Sequence, residues 1–211
     1  MPASILLLPL VLSLAADPHT PHPQQLLSPV DRLPPALSLS ADEQARLARG
    51  EVISRSQRTE NGGSGQAVQL VNATASSVWK VVLDYGKYPD RVDSVVSAEV
   101  YERQGEVFFV DMKSSIVGFT TVLYSRNTVT HESPSLGWLA WSLDYRRTSD
   151  VKDIAGYWRV EQLQTSPPLT RIEQGTELAI SNVPGFVVSY LTKQSLEDGL
   201  AWVKAAAESQ Q

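Results

Sequence analysis

Cysteine is absent from this chain. Its absence excludes disulfides, thiolate nucleophiles and cysteine-ligated metal together. Histidine is scarce, with three residues in 211. Two of these, His19 and His22, fall in a proline-rich stretch where nothing local fixes the geometry a metal would need. Concentrated positive charge is also missing. The longest basic run is the pair Arg146-Arg147, and 23 acidic residues against 18 basic ones give a net charge of -5. Removing the first 39 residues takes away Asp17, Asp31 and Arg32, which leaves 21 acidic against 17 basic, or -4. A protein that tracks a phosphate backbone needs a strongly basic surface, so nucleic acid is not a partner on this reading. Gly62-Gly63-Ser64-Gly65 has no Lys-Ser after it and no phosphate-loop context. No apolar run approaches the roughly 20 residues that cross a bilayer. What is present is ordinary globular composition, 42% apolar and 19% charged, with enough length for one sizeable core and an extra segment.

The extra segment is at the start. Ile5 to Leu14 is an apolar run of ten residues interrupted by Pro9, followed by Ala15-Ala16 and Asp17-Pro18. Ser13 and Ala15 are small residues two apart, as a leader-peptidase site requires. The pattern predicts a signal peptide over residues 1–16 and an exported protein, periplasmic or secreted. Residues 17–39 carry Pro18, Pro21, Pro23, Pro29, Pro34 and Pro35, and read as a linker without core elements.

From residue 40 to 211 the pattern is that of one domain. Ser40 and Glu43 form a capping box for a short helix that Gly50 ends. Glu51 to Arg58 reads as a strand, Asn61 to Gly65 as a glycine turn, and Gln66 to Asn72 as the returning strand. Thr74 to Asp84 has helical spacing of Val78, Trp79, Val82 and Leu83, and Tyr88-Pro89 opens a further helical turn. Six strand-like segments follow, at 95–102, 107–112, 120–130, 138–145, 157–163 and 171–182. They are rich in β-branched and aromatic residues and joined by short turns, so they predict an antiparallel meander. The chain closes with a long helix over 185–208. A sheet of this kind has one wet face and one covered face, and the last helix is the element long enough to cover it.

Several stretches carry a resemblance. Asn72 to Trp79 is similar to a strand end and helix start, and Leu83-Asp84-Tyr85 with Tyr88-Pro89 to an aspartate–aromatic and Tyr-Pro pattern. Gly156-Tyr157-Trp158-Arg159-Val160, Gly175-Thr176-Glu177-Leu178 and Pro184 match later strands and the head of the final helix. In this order they resemble the START-like (SRPBCC) superfamily, in its polyketide cyclase/dehydrase and coenzyme Q-binding group, over roughly Val52 to Ala207. Asp90-Arg91-Val92 departs from the tryptophan-containing stretch usual after Tyr-Pro. The resemblance implies an α+β helix-grip fold, a curved antiparallel sheet wrapped around a long C-terminal helix with a cavity between. It also implies binding of a lipid, quinone or polyketide-like molecule, sometimes with catalysis. Transient membrane contact fits such a ligand.

The candidate site follows from both lines. At 100° per residue, Phe186, Val187, Tyr190, Leu191, Ala201 and Trp202 share one face of the last helix, with Gln194 and Asp198 in its middle. Polar groups there face a ligand's polar end, water or a strand partner, or are exposed by a roll of the helix toward its second apolar strip, Leu196, Leu200 and Val203. Strand alternation puts Trp138 and Trp141 on opposite faces. The ligand-binding candidates are Trp141, Tyr145, Trp158, Phe186, Tyr190, Gln194 and Asp198; the resemblance places Trp158 in the cavity. No catalytic residue, metal or cofactor is assigned. His131, beside Glu132, reads as an exposed histidine, because a base needs a nucleophile and an orienting group within reach. Asp150 and Asp153 read as a solvated turn. The function expected is binding or transport of an apolar small molecule. The alternative is a cyclase or dehydratase acting through cavity shape and polar groups such as Tyr190, Gln194, Asp198 or His131.

Overall fold

The computed structural model describes residues 15–59, 61–116, 119–180 and 188–210. The leader expected over 1–16 therefore lies almost wholly outside the described residues, as do Pro184 and Phe186.

Eight strands form one antiparallel sheet in the order β1-β2-β8-β7-β6-β5-β4-β3. They are β1 (Ile53–Thr59), β2 (Gly62–Val71), β3 (Val95–Gln104), β4 (Val107–Ile116), β5 (Phe119–Ser133), β6 (Leu136–Leu143), β7 (Asp153–Thr165) and β8 (Pro168–Ala179). The break in order after β2 is where α2 (Ala75–Val82) and α3 (Tyr88–Arg91) leave the sheet. Helix α1 (Ala41–Ala48) precedes β1, with the expected capping box at Ser40 and Glu43. The last helix is a π-helical stretch, Tyr190–Gln194, running into α4 (Ser195–Glu208). This is the α+β helix-grip architecture, with the core between the inner face of the sheet and α2 and α4. Leu139, Val160 and Ile172 meet Val78, Val81, Leu196, Leu200 and Val203 there.

Gly62 to Gly65 is strand rather than the turn expected from its glycines: Gly62 pairs with Thr59 and, on the other side, with Ala179. Local chemistry favours a turn, but the tertiary approach of the last helix decides. A Cβ on Gly65 would lie 1.8 Å from the Thr192 carbonyl oxygen, and one on Gly63 would lie 3.2 Å from Thr192 Cγ2. The helix backbone is seated directly on β2, and glycine is what admits it.

Part of the outer face is covered as well, where a wet face was expected, although Arg55 to Thr59 of β1 stay exposed. Residues 16–39 cross the outer face as a strap with no helix and a single bridge, Asp17 to Thr148. It is docked by buried acids rather than hanging as a linker. Asp153, expected in a solvated turn, is fully buried: it accepts from the backbone N–H groups of Leu26 (2.6 Å), Leu27 (2.8 Å) and Ile154 (2.8 Å) and from the Tyr145 hydroxyl (2.9 Å). Glu173, also buried, accepts from Leu37 N (2.9 Å) and pairs with Arg171 (2.6 Å). His22, also read as free, is buried. Its Nε2 donates to the Lys152 carbonyl (2.8 Å) and its Nδ1 accepts from Ser149 N (3.3 Å). A carboxylate out of water must be satisfied by donors, and the strap's backbone supplies them.

Two substitutions test these seats. Gly65→Ala is expected to destabilise the fold by about 1–3 kcal/mol through overpacking, while Gly86→Ala, with open space around its Cβ position, stays within about 0.5 kcal/mol; thermal denaturation reads both. Asp153→Ala should cost about 2–4 kcal/mol, since it strands buried donors, and should open residues 17–39 to limited proteolysis.

Candidate functional site

Between the inner sheet face and the last helix lies a cavity of about 220 Å³. Strand alternation builds it: Val110, Met112 and Ser114 from β4, Thr121, Leu123, Ser125 and Asn127 from β5, and Gln174, Thr176 and Leu178 from β8. Ile154 and Trp158 come from β7, with Gly156 between them. A Cβ on Gly156 would lie 2.3 Å from the Trp141 ring, so the indole of its cross-strand partner packs on the bare glycine and forms part of the wall.

The inner end is an aromatic cluster. Tyr85 stacks on Tyr88 at 4.8 Å between ring centres, Phe108 meets Tyr85 edge-on at 5.6 Å, and Trp202 meets Tyr88 at 5.0 Å. Two neutral hydrogen-bond relays end there. The Tyr85 hydroxyl donates to Asn127 Oδ1 (3.3 Å), whose amide donates to Ser125 Oγ (2.9 Å), and the Tyr88 hydroxyl donates to the Val82 carbonyl (2.7 Å). Burial pushes both phenols well above their ordinary range, so they stay protonated and act as donors, never as bases. Gln174 projects into the same space against Gly199, and its Oε1 is buried without a hydrogen-bond partner.

Of the residues expected at a site, Trp141, Trp158 and Tyr190 line this cavity. Gln194 and Asp198 do not: both are exposed, and the Gln194 amide donates to Asp198 Oδ1 at 2.8 Å. The π-helical stretch explains the correction. Each residue in it turns less about the axis than in an α-helix, so a projection at 100° steps from Phe186 loses register. The strip that is buried is Leu196, Leu200 and Val203. Tyr145 also lies away from the cavity. It follows the end of β6, where alternation no longer applies, and its hydroxyl binds the strap anchor Asp153. His131 is exposed with its ring edge-on to Trp79 at 5.8 Å, and reaches no nucleophile. Sequence reasoning missed Asn127 and Gln174. Their inward strand positions were readable from Leu123 and Leu178, each four positions away on the same strand, but polar residues on a core face gave no reason to single them out.

The described lining residues include no carboxylate, imidazole, ammonium or guanidinium group. Among the described residues no cluster of three or more His, Cys, Asp or Glu could hold a metal. No described helix is long and apolar enough to cross a membrane. A larger, open groove of about 510 Å³ lies on the outer face between the strap at Ser28 and Val30 and the strands beneath. It is edged by Arg55, Gln57 and Glu177 and is not enclosed.

Residues 71–197 match the family described as polyketide cyclase/dehydrase and lipid transport. The chain belongs to this family. It therefore belongs to the START-like superfamily, whose members bind hydrophobic small molecules. No curated protein sequence matches the chain. Solved structures share its fold at low identity. A STAR-related lipid transfer protein from Xanthomonas axonopodis aligns with a TM-score of 0.61 at 11% identity, covering 74% of this chain and 93% of that one. The Zhui aromatase/cyclase from a Streptomyces species aligns at 0.56 and 16%, covering 75% and 96%. A Thermus thermophilus protein, TTHA0849, aligns at 0.58 and 14%, covering 69% and 97%. These likenesses show the fold.

Gln174 separates stability from binding. Gln174→Met removes a buried atom that has no partner, so thermal stability should hold or rise by about 1 kcal/mol; a loss of that size would reveal a structural role for the amide.

Proposed function

We infer that this protein binds and carries an uncharged, compact, largely apolar molecule bearing a hydrogen-bonding oxygen, of quinone or polyketide-like chemistry. The observation that carries this reading is the neutrality of the cavity. With no cation among the described lining residues to meet a carboxylate or phosphate, a charged headgroup placed inside would keep its desolvation cost uncompensated. With no carboxylate or imidazole among the described lining residues, a cyclase would have only shape, phenols and amides to work with. Gln174, whose buried Oε1 has no hydrogen-bond partner among the described residues, offers an acceptor to a ligand hydroxyl beside the donor of its own amide nitrogen, and the aromatic rings offer flat apolar walls.

The volume selects a compact ligand, since it falls below the roughly 300–1,000 Å³ typical of drug-sized sites. Burying on the order of 300 Å² of apolar surface gives about 7 kcal/mol gross, and the entropy of association removes part of it. Micromolar affinity is expected. The apolar run at 5–14 and the small residues at 13 and 15 support export, so the carrier would act in the periplasm or outside the cell, with transient membrane contact as its source of ligand.

Titration of intrinsic tryptophan fluorescence tests the reading, with menadione and palmitate as probes. Menadione should bind with a micromolar Kd and Trp158→Ala should weaken it at least tenfold, or about 1.4 kcal/mol. Palmitate binding as tightly at pH 8 would overturn the argument from neutrality. Native mass spectrometry of protein from its source should show a bound uncharged molecule; turnover of a polyketide chain without retention would favour the cyclase.

A further inference from the structure

The strap enters the fold at a single carboxylate. The backbone nitrogen of Ala16 donates to Asp150 Oδ1 at 2.7 Å, and the other oxygen of Asp150 accepts from Val122 N on β5, also at 2.7 Å. Asp150 has no ion-pair partner among the described residues. Ala15 is exposed, Ala16 is half-buried, and the paired bonds between Asp17 and Thr148 (2.9 Å each) begin immediately after. Among the described residues, the first hydrogen bond from the start of the chain to the fold is the one from the nitrogen of Ala16.

That nitrogen is also the one a leader peptidase would free. Ser13 and Ala15 occupy the two positions where such a peptidase requires small residues, so the scissile bond joins the Ala15 carbonyl to the Ala16 nitrogen, which ends the leader at residue 15, one residue earlier than the 1–16 expected from the sequence. We propose that processing occurs between Ala15 and Ala16, and that the new α-ammonium of Ala16 docks on Asp150 as an ion pair. The step consumes one water. The C–N bond breaks, the hydroxyl goes to the Ala15 carbonyl carbon and a hydrogen to the Ala16 nitrogen, which takes up a further proton from solvent. A hydrogen bond in which only the acceptor is charged becomes one in which donor and acceptor both are, and Asp150 gains a cation that the described residues do not give it. Because Val122 shares that carboxylate and its neighbours Thr121 and Leu123 line the cavity, removal of the leader would fasten β5 beside the ligand site. Charged and titratable groups also reach this corner from neighbouring elements. Asp17 lies on the strap itself, Tyr124 on β5, and Arg147 before Thr148, where its guanidinium is stacked 3.8 Å from the Tyr101 ring.

The inference rests on the export reading, and the test separates the two. The chain of residues 1–211 is produced in a Gram-negative host and the intact mass of the exported protein is measured. A mass for residues 16–211 is expected. An exported protein that begins elsewhere overturns the inference alone, and a chain retained at full length overturns export as well. Chains starting at Ala16 and at Ala15 are then compared by thermal midpoint across pH. A free α-amine titrates near 7.7–8.0 and Asp150 would raise this in the folded state. The added stability is therefore full below about pH 8 and lost as pH rises through the raised value. The Ala16 chain should melt on the order of 2 °C higher at pH 7, with no difference by about pH 10 and none at any pH in Asp150→Asn. A gap absent at pH 7, or unchanged across pH, overturns the docking. Should Asp150→Asn not fold, NMR titration of the Ala16 amine in the unmodified chain decides: a midpoint at or below that of a free amine overturns it.

Discussion

The contact on which the architecture turns is the seat of the last helix on β2. Gly63 and Gly65 present bare backbone, and the Thr192 carbonyl rests where a side chain would otherwise stand. Close approach at this point has two effects. It places Leu196, Leu200 and Val203 in the core, where Val78 and Val81 of α2 also pack. It also leaves Tyr190, Leu191 and Ser195 facing sheet residues that do not fill the space between, and that gap is the cavity. The site is a by-product of asymmetric packing: one end of the helix touches the sheet and the flank beside it does not.

The outer face follows a different logic. Asp153 and Glu173 are carboxylates on a surface that would be wet in a one-layer sheet, yet both are almost completely buried. They are tolerated because the proline-rich strap brings unpaired backbone N–H groups to them. Prolines keep this segment from forming a helix or strand of its own, so Leu26, Leu27 and Leu37 have N–H groups to offer. The two layers are thus held by opposite chemistry, apolar contact inside and charge-assisted hydrogen bonds outside. Strands β7 and β8 carry both at once, through Trp158 beside Arg159 and Gln174 beside Glu173.

Local pattern made much of this legible. The capping box at Ser40, the number of strands, and the opposite faces of Trp138 and Trp141 depend on spacing of two or on helix-end chemistry, and those signals are contained within a few residues; the place of Trp158 came from the family resemblance. The misplaced features depend on contacts between residues far apart in the chain. Glycines at 62–65 look like a turn until Thr192 is known to lie against them. Gln194 and Asp198 project onto the apolar face only if every turn is α-helical. Asp150 and Asp153 look solvated until residues 16–27, more than a hundred positions earlier, come to rest on them. Each error has the same source: a polar or flexible residue was read by its neighbours in sequence while its partner was remote.

The neutrality of the cavity bears on how such a protein would release what it holds. A charged ligand fixed by an ion pair can be freed by a change of pH or salt, because either weakens the pair. Among the described lining residues no carboxylate, imidazole, ammonium or guanidinium group supplies such a handle, the phenols of Tyr85 and Tyr88 stay protonated, and the amides of Asn127 and Gln174 do not titrate. Affinity then comes from apolar area and neutral hydrogen bonds, which respond to competition from another apolar phase rather than to acidity. Exchange with a membrane, where the ligand regains comparable apolar contacts, is the physical route that such a lining favours.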